Sequence, residues 1–369
     1  CLVGSEMCIR DSIYFQYEAP AFSFLANVAA VPLATCAFTL AFLLIFLPYT
    51  VFHEAISWMI QGVLWISRQS YGMLTIGHVP FLWVLLFYFM TGLWIWKKNG
   101  QNRHIRISLA YVIMIILIWI PMARRKSLAF LDVGQGDCFV ADTKSGAIIF
   151  DGGSSSEDQV GRYRILPYMK YLGYQKIQIA VISHMDIDHY SGIKELLEMG
   201  KIKYLGLPEI PKDETMKKII GIAKKRGTTI FYLSRGRQIT TKDGSLKVLH
   251  PQKNSQMEKN AASLVMQGKI LGYRVLLTGD VEKEGEEELL SEELERADIL
   301  KAAHHGSKNS TSNEFLQKVQ PKQTVISCGK QNRYGHPHLE TIHRLQTYHT
   351  KIYRTDRSGA IIFFKRRDG

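Results

Sequence analysis

The sequence predicts an α/β domain preceded by transmembrane α-helices, and three observations carry that expectation. Long apolar runs dominate the chain before about residue 122, and charged strand and helix patterns take over after it. In the later part, short β-branched runs stop at clusters of His and Asp. One such cluster, the stretch from Ser183 to Gly192, sets His184, Asp186, Asp188 and His189 between a strand-like run, Ile177 to Ile182, and a helix-like run from Ile193. Alternation along the strand end aims His184 and Asp186 to one side. Asp188 and His189 then fall at the helix start, where free N–H groups and the dipole favour a carboxylate. A plain helix cap with two surface histidines is the bland alternative; imidazole and carboxylate at this density suit a divalent metal better.

We divide the chain into residues 1–12, which read like a cloning or sequencing linker, 13–126 as the transmembrane helical region, and 127–369 as the α/β domain. A start at Cys1 rather than Met is expected of a fragment or a processed product. The net charge of +13 favours an anionic partner, either nucleic acid or an acidic lipid surface, and charge does not separate the two. Cys1, Cys8, Cys36, Cys138 and Cys328 show no C-x-x-C spacing, which argues against a disulfide framework or a cysteine zinc site.

In the first part, Ala21 to Pro48 carries no charge and is long enough to cross a bilayer as a helix. Val51 to Ser67 mixes apolar and polar residues at helical spacing, as an interfacial or bundle-lining helix does. His78 to Trp96 is a second span with tryptophans at its end, and Ile107 to Pro121 a shorter third. Lys97, Lys98, Arg103 and Arg106 precede the last run and Arg124, Arg125 and Lys126 close it, so the positive-inside rule gives a divided answer. We expect a multi-pass protein of the cell membrane with its later domain outside the cytoplasm. His53 and His78 are expected to be satisfied within the bundle or at its interface.

The later part opens with strands at Ala129 to Asp132 and Cys138 to Ala141, joined through Gly134 and Gly136 by a tight turn that lets backbone approach the site. Strand Ala147 to Phe150 ends at Asp151-Gly152-Gly153, helix Arg164 to Leu172 follows, and strands and helices alternate to Tyr232. Strand Ser245 to Leu249 stops at His250, read as a structural strand-end residue. A hairpin, Ser263 to Gln267 with Tyr273 to Leu277, ends in Thr278-Gly279-Asp280. Asp280 is the leading candidate for a bridging metal ligand, although a turn-closing Asp after Gly279 fits the residues as well. Ile299 to Ala303 reaches His304-His305-Gly306-Ser307, and strand Gln323 to Ser327 leads to Tyr334-Gly335-His336-Pro337-His338. A last helix, Glu340 to Tyr348, and two strands complete the chain, with His343 and His349 expected at the surface.

FLDVGQGD (Phe130 to Asp137), DGG (Asp151 to Gly153), SHMDIDHYSG, TGD, HHGS and YGHPH together resemble the metallo-β-lactamase-like domain of competence channel proteins of the ComEC/Rec2 family. The apolar run from Leu25 to Pro48 is similar to the late transmembrane part of that family. The resemblance implies an αββα sandwich with a metal centre at the strand ends, and a role in natural transformation, in which one DNA strand enters the cell. It implies a nuclease that degrades the other strand. The implied partners are single-stranded DNA bound without regard to sequence, the membrane, and other DNA-uptake proteins. It further implies two divalent ions, zinc or manganese. His184, Asp186 and bridging Asp280 would hold one, and Asp188, His189, His305 and Asp280 the other. Asp186 stands where many relatives place His, and His250 is the only histidine between Gly192 and Asp280, so we expect six ligands. Asp188, His304 and His336 are the candidate catalytic residues, the two histidines serving equally well as orienting groups. Lys301, Lys308 and Arg333 flank these loops and are expected to meet the DNA backbone. Two alternatives stay open: a DNA-guiding channel component without hydrolysis, and a hydrolase of small phosphodiesters.

Overall fold

The structure, a computed structural model, describes residues 17–20, 23–44, 50–68, 73–83, 85–86, 88–89, 125–257, 260–292 and 294–366. The chain forms two compact units, Cys1–Met122 and Ala123–Gly369.

In the first unit, strand β1 (Glu18–Pro20) pairs antiparallel with β2 (Met73–Thr75). Helix α1 (Ser23–Leu43) has no charged residue, and Thr35 and Thr39 satisfy their hydroxyls by donating to the carbonyls of Val31 and Thr35, each at 2.8 Å. Its interior Pro32 lacks the N–H that would complete the helical ladder. Helix α2 (Thr50–Arg68) covers the expected interfacial segment and exposes Trp58, Ile60, Leu64 and Trp65. Among the described residues, no helix is long and apolar enough to cross a membrane. The first expected span is occupied by α1, which ends at Leu43 rather than Pro48. The span His78–Trp96 is described only in part, and Ile107–Pro121 and the proposed linker 1–12 lie outside the described residues. His53 is exposed on α2, and the ring of His78, also exposed, lies 6.3 Å from Tyr17.

The second unit runs β3 (Ser127–Phe130), β4 (Phe139–Thr143), β5 (Gly146–Phe150), a π-helical turn Gly161–Ile165 continuing into α3 (Leu166–Tyr171), β6 (Ile177–Val181), α4 (Ile187–Glu198), β7 (Ile202–Pro208), α5 (Glu214–Lys225) and β8 (Thr229–Leu233). It continues with β9 (Gln238–Thr241), β10 (Gly244–His250), β11 (Val265–Ile270), β12 (Tyr273–Leu277), α6 (Lys283–Leu290), β13 (Ile299–Lys301), α7 (Asn313–Val319), β14 (Gln323–Ile326), α8 (Leu339–Thr347), β15 (Lys351–Arg354), α9 (Thr355–Ser358) and β16 (Ile361–Phe364). Two seven-stranded sheets result, ordered β16-β3-β4-β5-β6-β7-β8 and β15-β14-β13-β12-β11-β10-β9.

The period-2 alternation of the strands creates three cores. Ile148, Val181, Val275, Ile299 and Val325 face inward and pack between the sheets. Their chain neighbours Ile149 and Ala180 face the other way, against Ile193, Leu196, Leu197, Met216 and Ile219 of α4 and α5. On the second sheet Leu276, Leu300 and Ile326 face outward against Phe315, Leu316 and Leu345 of α7 and α8. The architecture is therefore the αββα sandwich that the motifs imply. Sequence reading passed over β9, α6 and α7, each short, and α6 too charged to show an apolar stripe.

Glycine motifs bring loop backbones onto the start of α4. Asp137 N–H donates to the Asp188 carbonyl at 3.0 Å, Gly152 N–H to the His189 carbonyl at 2.8 Å, and Ile193 N–H to the Gly152 carbonyl at 3.0 Å. A Cβ on Gly153 would stand 2.5 Å from both His189 N and Ile187 O, so only glycine admits this approach. Gly153→Ala is expected to cost about 1–3 kcal/mol by overpacking. A urea titration should show a lower midpoint with little change in slope, and an unchanged midpoint would contradict the contact.

Candidate metal centre

The centre forms where β6, β12 and β13 end. After Val181 the chain turns through Ser183 and His184 and enters α4, with Asp186 at the cap position in extended conformation (φ −99°, ψ 149°) and making no side-chain cap hydrogen bond. The bland capping role is therefore not the one Asp186 fills. Parallel pairing of β12 with β13, Val275 opposite Ile299, delivers Asp280 and the His304-His305 loop to the same edge. His304 and His305 both lie in the left-handed region (φ 47° and 53°). Such a conformation costs of order 1–3 kcal/mol per residue and persists where the surroundings enforce it. Here the surroundings hold the segment by backbone bonds, His304 N–H donating to the Gly279 carbonyl at 3.3 Å, Ser307 N–H to the His304 carbonyl at 2.8 Å and Ala303 N–H to Thr311 Oγ1 at 3.2 Å.

Three imidazoles present their Nε2 atoms to three carboxylates. His184 Nε2 lies 3.7 Å from Asp186 Oδ2, and His189 Nε2 3.2 Å from Asp280 Oδ2. His305 Nε2 lies 3.3 Å from Asp280 Oδ2 and 3.4 Å from Asp188 Oδ2. The His184 and His189 ring centroids are 4.1 Å apart and those of His189 and His305 5.4 Å. All three Nε2 atoms are buried without a hydrogen bond. The fold thus brings together His184, Asp186, Asp188, His189, Asp280 and His305.

A second set of groups stands behind the rings. Asp151 Oδ2 lies 3.0 Å from His189 Nδ1, the Ser327 carbonyl 2.9 Å from His305 Nδ1, and Ser183 Oγ 3.0 Å from His184 Nδ1. Asp137 shares a tight cluster with His189, Asp280 and His305, with ligand atoms all within 4.8 Å of one another. It nevertheless approaches the Nδ1 side of His305, at 3.5 Å, and of His189, at 3.8 Å, and is ion-paired with Lys301. Asp137 therefore backs the His189 and His305 rings from the side opposite their Nε2 atoms. Lys301, expected at the DNA backbone, is instead buried, with Nζ donating to the Gly279 carbonyl at 2.8 Å and lying 3.3 Å from Asp280 Oδ1. Sequence reading missed these roles of Asp137, Asp151 and Lys301. The two aspartates stand in quoted motifs, but nothing in the spacing distinguishes a turn residue from one that backs an imidazole.

Burial, followed by the neighbouring His189, pushes His184 down to about 3. In the tautomer that donates Nδ1–H to Ser183, its Nε2 lone pair is therefore available near neutral pH. Burial alone would lower His189 and His305 too, but nearby carboxylates, Asp280 foremost, outweigh it and raise both well above the usual range. For Asp188 burial raises the pKa, and the His305 ring 3.4 Å away together with the charge of His189 more than reverses this, to about 2. Buried imidazoles with unused Nε2 atoms, facing carboxylates that need compensating charge, fit a divalent cation. Three carboxylates among six donors suit harder ions such as manganese as well as zinc.

The remaining candidates lie beside this set. His304 Nδ1 is 2.9 Å from Glu282 Oε1 and its Nε2 3.9 Å from Asp280 Oδ2. The His336 ring stands 5.5 Å from His304 and 6.2 Å from His305, and burial followed by those two histidines lowers its pKa to about 4. His250 lies outside the centre, its ring nitrogens 2.7 Å from the Ala261 carbonyl and 2.9 Å from Glu288 Oε2. Lys308, Arg333, His343 and His349 are exposed.

Residues 131–330 match the family described as the metallo-β-lactamase superfamily. The chain is 34% identical over 294 residues to ComE operon protein 3 of Bacillus subtilis, covering 74% of this chain and 38% of that protein. It is 30% identical to competence protein ComA of Neisseria gonorrhoeae, covering 64% of this chain and 32% of the relative. With recombination protein 2 of Haemophilus influenzae the identity is 27%, covering 72% and 32% respectively. The chain thus spans about a third of the length of these curated relatives.

Two outcomes are expected of the backing groups. Asp151→Asn should weaken divalent metal binding roughly 10- to 100-fold by titration calorimetry, because the His189 ring loses its carboxylate. Lys301→Met should destabilise the metal-free protein by about 3–5 kcal/mol, leaving two buried carboxylates uncompensated. Manganese should restore part of that loss in thermal melts; equal melting of the variant with and without metal would contradict the electrostatic reading of Lys301.

Proposed function

The chain belongs to the metallo-β-lactamase superfamily and, within it, to the ComEC/Rec2 family of competence proteins; from that premise we propose that its second unit is a metal-dependent phosphodiesterase acting on DNA. Its task is to degrade the non-transported strand at a membrane DNA-uptake channel. The observation that carries this reading is the convergence of three unbonded Nε2 atoms with the carboxylates of Asp186, Asp188 and Asp280 at the strand ends.

In this reading His184, Asp186 and Asp280 would hold one divalent ion and Asp188, His189, His305 and Asp280 a second, manganese or zinc. Bound there, such ions would supply Lewis-acid polarisation of a phosphoryl oxygen and a water of lowered pKa. The protein's own groups do the rest. Asp151, Ser183 and the Ser327 carbonyl fix the ligand rings, and Lys301 occupies Asp280 Oδ1 so that Oδ2 faces the imidazoles. Glu282 orients His304 with Nε2 toward the centre, where it hands a proton to the departing alkoxide. His336, held largely neutral by its surroundings, lacks the proton for that transfer and stands beside His304 as an orienting group. Exposed Lys308 and Arg333 place positive charge beside the strand without sequence preference.

The substrate is single-stranded DNA of any sequence, which the net charge of +13 supports. We place the whole protein in the cell membrane as a multi-pass component working with other uptake proteins, with this unit outside the cytoplasm. The uncharged sequence from Ala21 to Pro48 supports the membrane placement.

The full chain incubated with single-stranded DNA and manganese or zinc should release shortened products. Asp188→Ala and Asp280→Ala should each reduce the rate by more than the roughly 100-fold typical of losing a group that backs a ligand. Cleavage unchanged by either substitution would overturn the assignment, and turnover of a small diester with no action on DNA would move the substrate to small phosphodiesters.

A further inference from the structure

The loop from Ser327 to His338 is anchored along its length. Gly329 N–H donates to Gln135 Oε1 at 3.0 Å, and His338 N–H to the Gly306 carbonyl at 3.0 Å. Asn332 ties the interior together, its Nδ2 donating to the carbonyls of Gly329 (2.9 Å) and His336 (2.6 Å) while its Oδ1 accepts from His336 N–H (2.9 Å). The tip held out by these bonds carries an aromatic ring. Tyr334 is 44% exposed and lies stacked on His336, with centroids 5.7 Å apart and planes at 21°. His336 in turn neighbours His304 and His305. Arg333 donates from Nη2 to the Tyr334 hydroxyl at 2.7 Å, with its guanidinium carbon 4.9 Å from the ring centroid.

The ring is left partly in water, pinned rather than loose, and one imidazole separates it from His304 and His305. Phosphodiester hydrolysis does not require it. It does match the way proteins hold single strands without sequence preference, where bases stack on aromatic faces and a guanidinium lies alongside. We propose, on the basis of the nuclease reading above, that Tyr334 and Arg333 form a stacking platform for the nucleobase next to the phosphate in the centre. Tyr334 is a binding residue in this role, and the ligand class is an unpaired nucleobase of any identity. Duplex DNA, whose bases are already stacked on one another, would not use it.

The test is binding of the full chain in detergent with EDTA present, so that no strand is cut, to a fluorescent oligothymidylate and to an abasic deoxyribose-phosphate oligomer of equal length. Wild type should prefer the oligomer that has bases. Tyr334→Ala should lose roughly tenfold on oligothymidylate, a typical magnitude for one stacked base, with no change on the abasic strand. Tyr334→Phe and Tyr334→Trp should keep the preference, which a merely structural role in the loop would not require. Equal loss on both oligomers, or no loss on either, would overturn the platform while leaving the nuclease reading intact. Wild type that binds neither oligomer would overturn the DNA reading itself.

Discussion

Buried carboxylates need compensating charge, and the second unit is built around meeting that need. Asp137, Asp151 and Asp280 are all nearly inaccessible to solvent, and Asp188 is largely covered. Left alone, each would take up a proton rather than stay charged. Lys301, itself buried, lies between Asp137 and Asp280, and His189 and His305 supply the remaining positive character. Once Lys301 holds one oxygen of Asp280, the other is directed at the imidazoles. The same charge balance that allows the aspartates to be buried therefore sets which Asp280 oxygen faces the imidazoles.

That arrangement requires backbone in unusual places. The Gly-rich turn after β3 and the Asp151-Gly152-Gly153 corner lie against the first turn of α4 at distances that exclude a side chain, and this contact fixes Asp188 and His189. On the facing sheet, His304 and His305 adopt left-handed conformations, held by bonds to the Gly279 carbonyl and to the loop that follows. The strain is spent where it turns two consecutive side chains in different directions, His305 toward Asp188 and Asp280 and His304 toward Glu282.

The strands that hold these loops were largely legible in the sequence. Alternation in Ile148-Ile149, Val275-Leu276 and Ile299-Leu300 marks strands buried on both faces, because a sheet between two cores is apolar on each side. Helices α6 and α7 were not legible, since a short helix rich in charge carries almost no periodic signal and is fixed by its contacts. Lys301 was misread for a related reason. A lysine beside histidines in a sequence looks like a surface contact for an anion, and only the fold reveals that its anion is within the protein.

What the sequence determined by itself was the set of chemical groups: His and Asp at strand ends, a helix beginning at the central motif, and a chain divided into an apolar and a mixed part. These are properties of local pattern, and local pattern survives in a linear string. What only the tertiary structure decided was which atom of each group faces which. The Nε2 atoms of His184, His189 and His305 face carboxylates while their Nδ1 atoms face Ser183, Asp151 and Ser327. That distinction depends on contacts between residues as far apart in the chain as Asp151 and His189 or His305 and Ser327, and on ring orientations that no spacing rule encodes.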